Sequence, residues 1–289
     1  MNDKVKWTFG VQLNKVPDVK LKTIPRLGMI YQLNDRSGIK VNYGQAFRAA
    51  YGVETHFDLV ICCREDGSNK GGLRGNSSLE PEIITTYDIQ YFNTDQNSQL
   101  NLTLFYSQQE DLIERERAPD RVLDFINRGE LMVKGVELEY EYIFHPNSQL
   151  FGSFTYQKNE SKAGLENITL APNYMFKFGF SYLFEQQFSR DIKLSMFNSY
   201  FDDAHDNIIR SPNRKEVNPL AKNYNMLTVN INFPLNIESF SASQNAYIEL
   251  YGYNLLNEDI YQPEVAGGQI NTNPLRSGRS WYLSFTLNY

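Results

Sequence analysis

The chain has 289 residues, with 28 Lys and Arg against 34 Asp and Glu and a formal net charge of −6. That balance excludes the basic surface a nucleic-acid partner requires, and no run of 18 apolar residues exists to form a transmembrane helix. The anomaly is aromatic: nineteen Tyr and nineteen Phe beside two Trp make 14% of the chain, a composition suited to strands rather than helices.

Apolar residues alternate with polar ones along the whole chain, a strand signal. About twelve strands are predicted, centred on 5–13, 25–33, 38–48, 82–93, 98–107, 130–144, 149–157, 173–184, 191–201, 224–233, 245–254 and 279–289. Leu100, Leu102, Leu104 and Tyr106 share one face against Asn101 and Thr103. Val136, Leu138, Tyr140 and Tyr142 oppose Glu137, Glu139 and Glu141. Phe176, Phe178, Phe180, Tyr182 and Phe184 form the most apolar face, and Leu227, Val229, Ile231 and Phe233 repeat the pattern. The last strand gathers Trp281, Leu283, Phe285, Leu287 and Tyr289. Most segments are near the ~9–11 residues that a tilted membrane-spanning strand needs.

The connections alternate in length. Asn34–Ser37, Thr94–Asn97, His145–Ser148 and Glu185–Arg190 are short polar turns, with a medium link at Pro234–Gln244. The long links fall at 49–81, 108–129, 158–172, 202–223 and 255–278, after a modest first link at Asn14–Lys22. Tight turns at one end and long loops at the other are the anatomy of an up-and-down outer-membrane barrel; a soluble sandwich would scatter its long connections. The expected fold is therefore all-β, an antiparallel up-and-down transmembrane β-barrel, with Tyr289 at the periplasmic rim. Met1–Lys6 lacks the apolar stretch of a signal peptide, so either the chain stays in the cytoplasm or its true start lies upstream. Cys62 and Cys63 are adjacent, a spacing that suits no metal site; two loop thiols are expected in preference to a vicinal disulfide.

The residues at the strand ends carry a resemblance. Pro25-Arg26-Leu27-Gly28 with Asn42-Tyr43-Gly44-Gln45-Ala46-Phe47-Arg48, then Asn76 through Glu82 with Thr86-Tyr87, resemble successive motifs of TonB-dependent outer-membrane receptors. Asn127 with Gly135-Val136-Glu137, Asn254 through Tyr261 with Pro263, and Gly278 through Tyr282 continue the series in order. Ala50, Ser77 and Ser277 stand where the family usually has proline. The resemblance covers essentially residues 1–289. It implies about twelve strands from the C-terminal part of a larger barrel, without the plug domain that closes such barrels or its coupling box. It also implies a bacterial outer-membrane location, with the signal peptide missing from this chain. The implied activity is import of a scarce bulky nutrient, a ferric siderophore first, with no enzymatic step and no cofactor. Implied partners are TonB through the missing plug, outer-membrane lipids and lipopolysaccharide, and the barrel-assembly machinery. Alternatives are a cobalamin, haem or oligosaccharide receptor, an independent twelve-stranded passive pore or membrane enzyme, or a soluble β-rich binding module.

Candidate ligand contacts lie in the long links. A ferric chelate is usually anionic, and Arg offers planar, charge-assisted contacts to its oxygens. The candidates are Tyr51, Arg64, Arg115, Arg117, His205, Arg210, Arg214 and Arg276, with Arg74 and Arg121 in the same loops and Tyr261 and Trp281 as further rings. The competing role for these arginines is contact with lipopolysaccharide phosphates or simple solvation. Glu137, Glu139 and Glu141 read as lumen wall in preference to a cation ladder, and His145 as a turn residue. His56 and His205 have no second ligand at chelating spacing; Asp202, Asp203 and Asp206 near His205 offer a weak oxygen site, with loop solvation the preferred reading. No Gly-x-Ser-x-Gly or His-Glu-x-x-His motif marks a catalytic site.

Overall fold

The computed structural model describes residues 4–15, 21–187, 190–204, 215–235, 245–264, 270–275 and 277–288. It opens with β1 (Val5–Asn14), β2 (Lys22–Gln32) and β3 (Ser37–Arg48), then a single helical turn α1 (Gly52–Thr55) and the short strands β4 (Asp58–Ile61) and β5 (Gly71–Arg74). Next come β6 (Glu82–Thr94), β7 (Ser98–Arg117), β8 (Leu123–His145), β9 (Ser148–Ser161), β10 (Tyr174–Gln187) and β11 (Arg190–Phe201). The chain finishes with β12 (Tyr224–Leu235), β13 (Asn245–Tyr253), the small strands β14 (Tyr261–Pro263) and β15 (Thr272–Pro274), and β16 (Ser280–Asn288).

Twelve strands neighbour one another in the order β1-β2-β3-β6-β7-β8-β9-β10-β11-β12-β13-β16. Apart from the short inserts this is sequence order, an up-and-down meander. Among the described residues no pairing joins β1 to β16, so the sheet is not closed. Every one of the twelve expected strands is present. The chain groups into two compact units, one of residues Met1–Gln90, Leu104–Gly135 and Lys158–Glu166, the other of Tyr91–Thr103, Val136–Gln157 and Asn167–Tyr289.

In the first unit the registers sort side chains into two faces. Trp7 stands opposite Met29 and Met29 opposite Val41; Phe9 stands opposite Leu27 and Leu27 opposite Tyr43. One residue along, Thr8 meets Gly28 and Gly28 meets Asn42, while Gly10 meets Arg26 and Arg26 meets Gly44. The first face is apolar and exposed, with Phe9 76% accessible. The second carries Thr8, Arg26 and Asn42, which line a hollow of about 550 Å³ with Thr86 and Asp88 and with Leu27, Met29 and Tyr43.

The second unit repeats the division across five strands. One row runs Phe180, Met196, Val229, Gly252, Trp281, and the next Tyr182, Leu194, Ile231, Leu250, Leu283. The row between them reads Ser181, Ser195, Asn230, Tyr251, Tyr282, and the row beyond the second reads Leu183, Lys193, Asn232, Glu249, Ser284. Leu283 is 75% exposed, whereas only six hydrophobic side chains of the described residues are buried. A water-soluble sheet would cover its apolar rows with a second layer. Here those rows are bare, which is the condition of strands whose outward side chains meet lipid.

The links depart from expectation in four places. β7 and β8 have 20 and 23 residues, so the expected loop at 108–129 is mostly strand, turning at Ala118–Val122. Its residues are charged on both faces, as in Glu114-Arg115-Glu116-Arg117, so no apolar period announces a strand. Cross-strand ion pairs from Arg128 to Glu114 and Glu116 steady this extension. β9 likewise continues to Ser161. The links 49–81 and 255–278 hold α1, β4 and β5, and the β14–β15 pair, respectively. Finally, Cys62 and Cys63 bring their sulfur atoms together just past β4. They follow the end of β4, where the chain has left the alternation that points neighbouring side chains to opposite faces.

Candidate functional site

The loop 49–81 is the longest link of the first unit, and it is tied down at its root. β3 delivers Arg48, whose Nε and Nη2 donate to the two Glu82 oxygens at 2.5 and 2.6 Å. Its Nη1 and Nη2 also reach Glu54 in α1, at 2.9 and 3.3 Å. Glu54 accepts the N–H of Tyr51 at 2.7 Å, and the Tyr51 ring lies 4.9 Å from the Arg48 guanidinium, within cation–π range. Glu82 further accepts the backbone N–H of Ile113 in β7 at 2.9 Å.

Beyond α1 the loop doubles back as the β4–β5 hairpin, and β5 pairs in parallel with the start of β8 through Leu73–Leu123 and Arg74–Asp124. Arg74 donates to Asp124 at 3.0 Å and to Asp120 at 2.8 Å. The Val122 N–H, and after it Arg74, hold the Asp120 carboxyl below the usual carboxylate range. The return passes so close to the end of α1 that a Cβ at Gly75 would lie 2.7 Å from the backbone of Thr55 and His56. Asn76 then donates to the Phe125 carbonyl at 3.0 Å, and Asn127 bonds both backbone groups of Glu80 and the Asp111 carbonyl. Several residues that carried the family resemblance are thus ties between loop and strand.

In the second unit two loops are clasped by an amide. Asn271, 1% exposed, accepts the N–H groups of Val217 and Asn218 and donates to the Asn218 carbonyl. Thr272 donates to the Pro219 carbonyl at 2.6 Å. At the exit of β13, Asn254 is fully buried with φ of 49° and bonds the N–H and carbonyl of Glu258, while Asn257 accepts the N–H of Arg279. Asn tolerates this left-handed conformation better than most residues, and its amide replaces backbone partners in the turn.

Of the expected ligand contacts, Tyr51, Arg64, Arg115 and Arg117 fall within the described residues. All four are exposed. Arg115 and Arg117 are two apart in the β7 extension, whereas Tyr51 sits at the loop root and Arg64 past the end of β4. No hydrogen bond or ring contact joins any two of the four among the described residues. Arg64 and Arg115 have no ion pair there, and Arg117 donates to the Arg121 carbonyl. His205, Arg210, Arg214 and Arg276 lie outside the described residues, as does Tyr289. Arg74 is paired with Asp120 and Asp124, and Trp281 stands opposite Gly252 in the row of Phe180, Met196 and Val229. Glu139 and Glu141 line a hollow with Gln99, Asn101, Tyr140 and Phe151. His145 sits by the Pro146 turn, 3.8 Å from Glu185. The Arg48 node was missed, although opposite charges at the facing ends of two expected strands were a signal for it.

An antiparallel meander of spanning-length strands with bare apolar rows defines a transmembrane barrel wall of the outer-membrane type. The comparisons make it specific: residues 2–255 match the family model "TonB dependent receptor-like, beta-barrel", and the chain belongs to that family. No curated protein matches this sequence. Among solved structures, the siderophore receptor PirA of Acinetobacter baumannii superposes with a TM-score of 0.72 at 16% identity, over 98% of this chain and 43% of its own. The ferripyoverdine receptor of the outer membrane of Pseudomonas aeruginosa gives 0.72 at 13% identity, over 99% of this chain and 36% of its own. A variant ferric enterobactin receptor of the same organism, in complex with enterobactin, gives 0.70 at 15%, over 98% and 43%. The chain therefore spans about two-fifths of the length of these relatives.

Proposed function

We propose that this chain is the C-terminal barrel part of a bacterial outer-membrane receptor that captures a ferric siderophore and imports it with energy delivered through a plug domain and TonB. The observation that carries the reading is the combination, in the first unit, of a two-faced wall with the exposed cations Arg64, Arg115 and Arg117 at its loop end. Those guanidinium groups suit an anionic chelate, whose carboxylate or catecholate oxygens accept paired N–H bonds. The siderophore receptors among the solved relatives support the ligand class, and lipid, lipopolysaccharide and the assembly machinery are the partners such a wall requires.

The test is a binding panel on the chain refolded in detergent: ferric tris-catecholate, ferric hydroxamate, cobalamin and haem, followed by intrinsic fluorescence. A ferric chelate is expected to bind, and Arg115→Gln with Arg117→Gln to weaken it by about ten-fold or more. Binding of cobalamin or haem alone would overturn the siderophore assignment. Ohmic conductance in planar bilayers with no ligand binding would favour the passive pore.

A further inference from the structure

Arg48 touches three elements at the root of the 49–81 loop: it ends β3, pairs with Glu54 of α1 and with Glu82 at the start of β6, and lies under the Tyr51 ring. Through the second bond of Glu82 to the Ile113 N–H, a fourth element, β7, joins the same node. An isolated surface ion pair contributes little, because water screens it and two long side chains must be ordered. This one differs. The side chains of Glu54 and Glu82 are only 13% and 16% exposed, and Arg48 is 32% exposed. One guanidinium fork bridges both carboxylates, a geometry that the point charge of lysine does not reproduce.

We infer that Arg48 is a positioning residue, which through Glu54 and Glu82 fixes α1 and the Tyr51 ring against β6 and β7 and so gives the long loop a rigid root. Its bearing on ligand capture rests on the function proposed above; the mechanical role does not. Without Arg48 the two part-buried carboxylates lose the cation between them and repel each other, so α1 moves off the wall. Without the Glu54 charge only the link to α1 is lost, and the β3–β6 tie stays. The Tyr51 ring, 63% exposed, keeps one face on the guanidinium and leaves the rest of its surface open.

Hydrogen exchange of the full chain in detergent micelles, read by mass spectrometry on peptides spanning 49–57 and 84–92, tests this. Arg48→Gln is expected to speed exchange of 49–57 by about ten-fold or more, with Arg48→Lys intermediate. Glu54→Gln should loosen 49–57 and leave 84–92 unchanged, and adding it to Arg48→Gln should bring no further change, since both act through one node. Heat-modifiable gel migration confirms that each variant is folded. If Arg48→Gln does not fold, Glu54→Gln decides alone. Exchange of 49–57 within about three-fold of the parent in folded Glu54→Gln, or additive effects in the double variant, overturns the inference. A ferric tris-catecholate titration runs alongside. Failure of the parent chain to bind it counts against the siderophore reading while the exchange result still stands or falls by itself.

Discussion

Leu102 and Thr103 are neighbours in β7 on opposite faces, which makes them a sharp probe of the wall. Leu102 is 38% exposed and Leu104, two residues on, 54% exposed, both on the apolar side. Asn101, on the face of Thr103, donates to Glu139 at 3.3 Å among the lumen residues. A guanidinium at Leu102 would be forced into hydrocarbon near mid-strand, at a cost of about 2–4 kcal/mol for a barrel wall. At about 1.4 kcal/mol per decade this lowers the folding equilibrium constant roughly thirty- to several-hundred-fold. At Thr103 the same side chain enters a wet, carboxylate-bearing surface, where the expected change is within about 1 kcal/mol. Denaturant titrations of Leu102→Arg and Thr103→Arg in lipid vesicles, followed by tyrosine fluorescence and gel migration, give both values. Equal destabilisation by the two would refute the assignment of faces.

Further outcomes follow from the same account. This chain alone, supplied to an iron-starved receptor mutant, is expected not to restore energised uptake; growth rescue that depends on the proton-motive force would contradict the need for a plug. Removing Trp281–Tyr289 from a plug-containing parent should abolish surface delivery measured by protease shaving, because the outward row and its backbone bonds go with it, whereas removing 64–70 spares the β5–β8 pairing and should not. Asn271→Ala should free the 215–219 segment at a cost of about 1–3 kcal/mol, visible as new proteolysis there with the strands intact. The depressed Asp120 carboxyl has a definite pH sense: its tie to Arg74 is present above the ordinary carboxylate pKa and is lost as pH falls through the lower folded value. Proteolysis of 58–74 should therefore rise only in strong acid, while Asp120→Asn should show it at neutral pH.

The wall was legible because a spanning strand must alternate. Phe176 through Phe184 and Trp281 through Leu287 can satisfy lipid on one side and water on the other only with period two, and the expected strands match the twelve in the sheet. What failed to show was structure outside the bilayer. Residues 108–117 and 123–129 are extended, yet with water on both sides nothing imposes alternation on Glu114, Arg115, Glu116 and Arg117. The β4–β5 hairpin was hidden for a related reason: its pairing with β8 is set by Leu73 and Arg74 meeting residues 50 positions away. At the mouth, composition selected arginines but not their use. Arg74 is committed to aspartates and Arg115 is not, a difference made by partners brought in through tertiary pairing.

The central claim is a receptor wall whose loop-end cations hold an anionic ferric chelate. Its most direct test is surface binding of an iron-55-labelled tris-catecholate to de-energised cells displaying the plug-containing parent, with and without Arg115→Gln and Arg117→Gln. The account predicts saturable binding that the double substitution weakens by about ten-fold or more at unchanged surface levels. Binding of the label that is indifferent to both substitutions, or no binding beyond that of cells lacking the receptor, would contradict it.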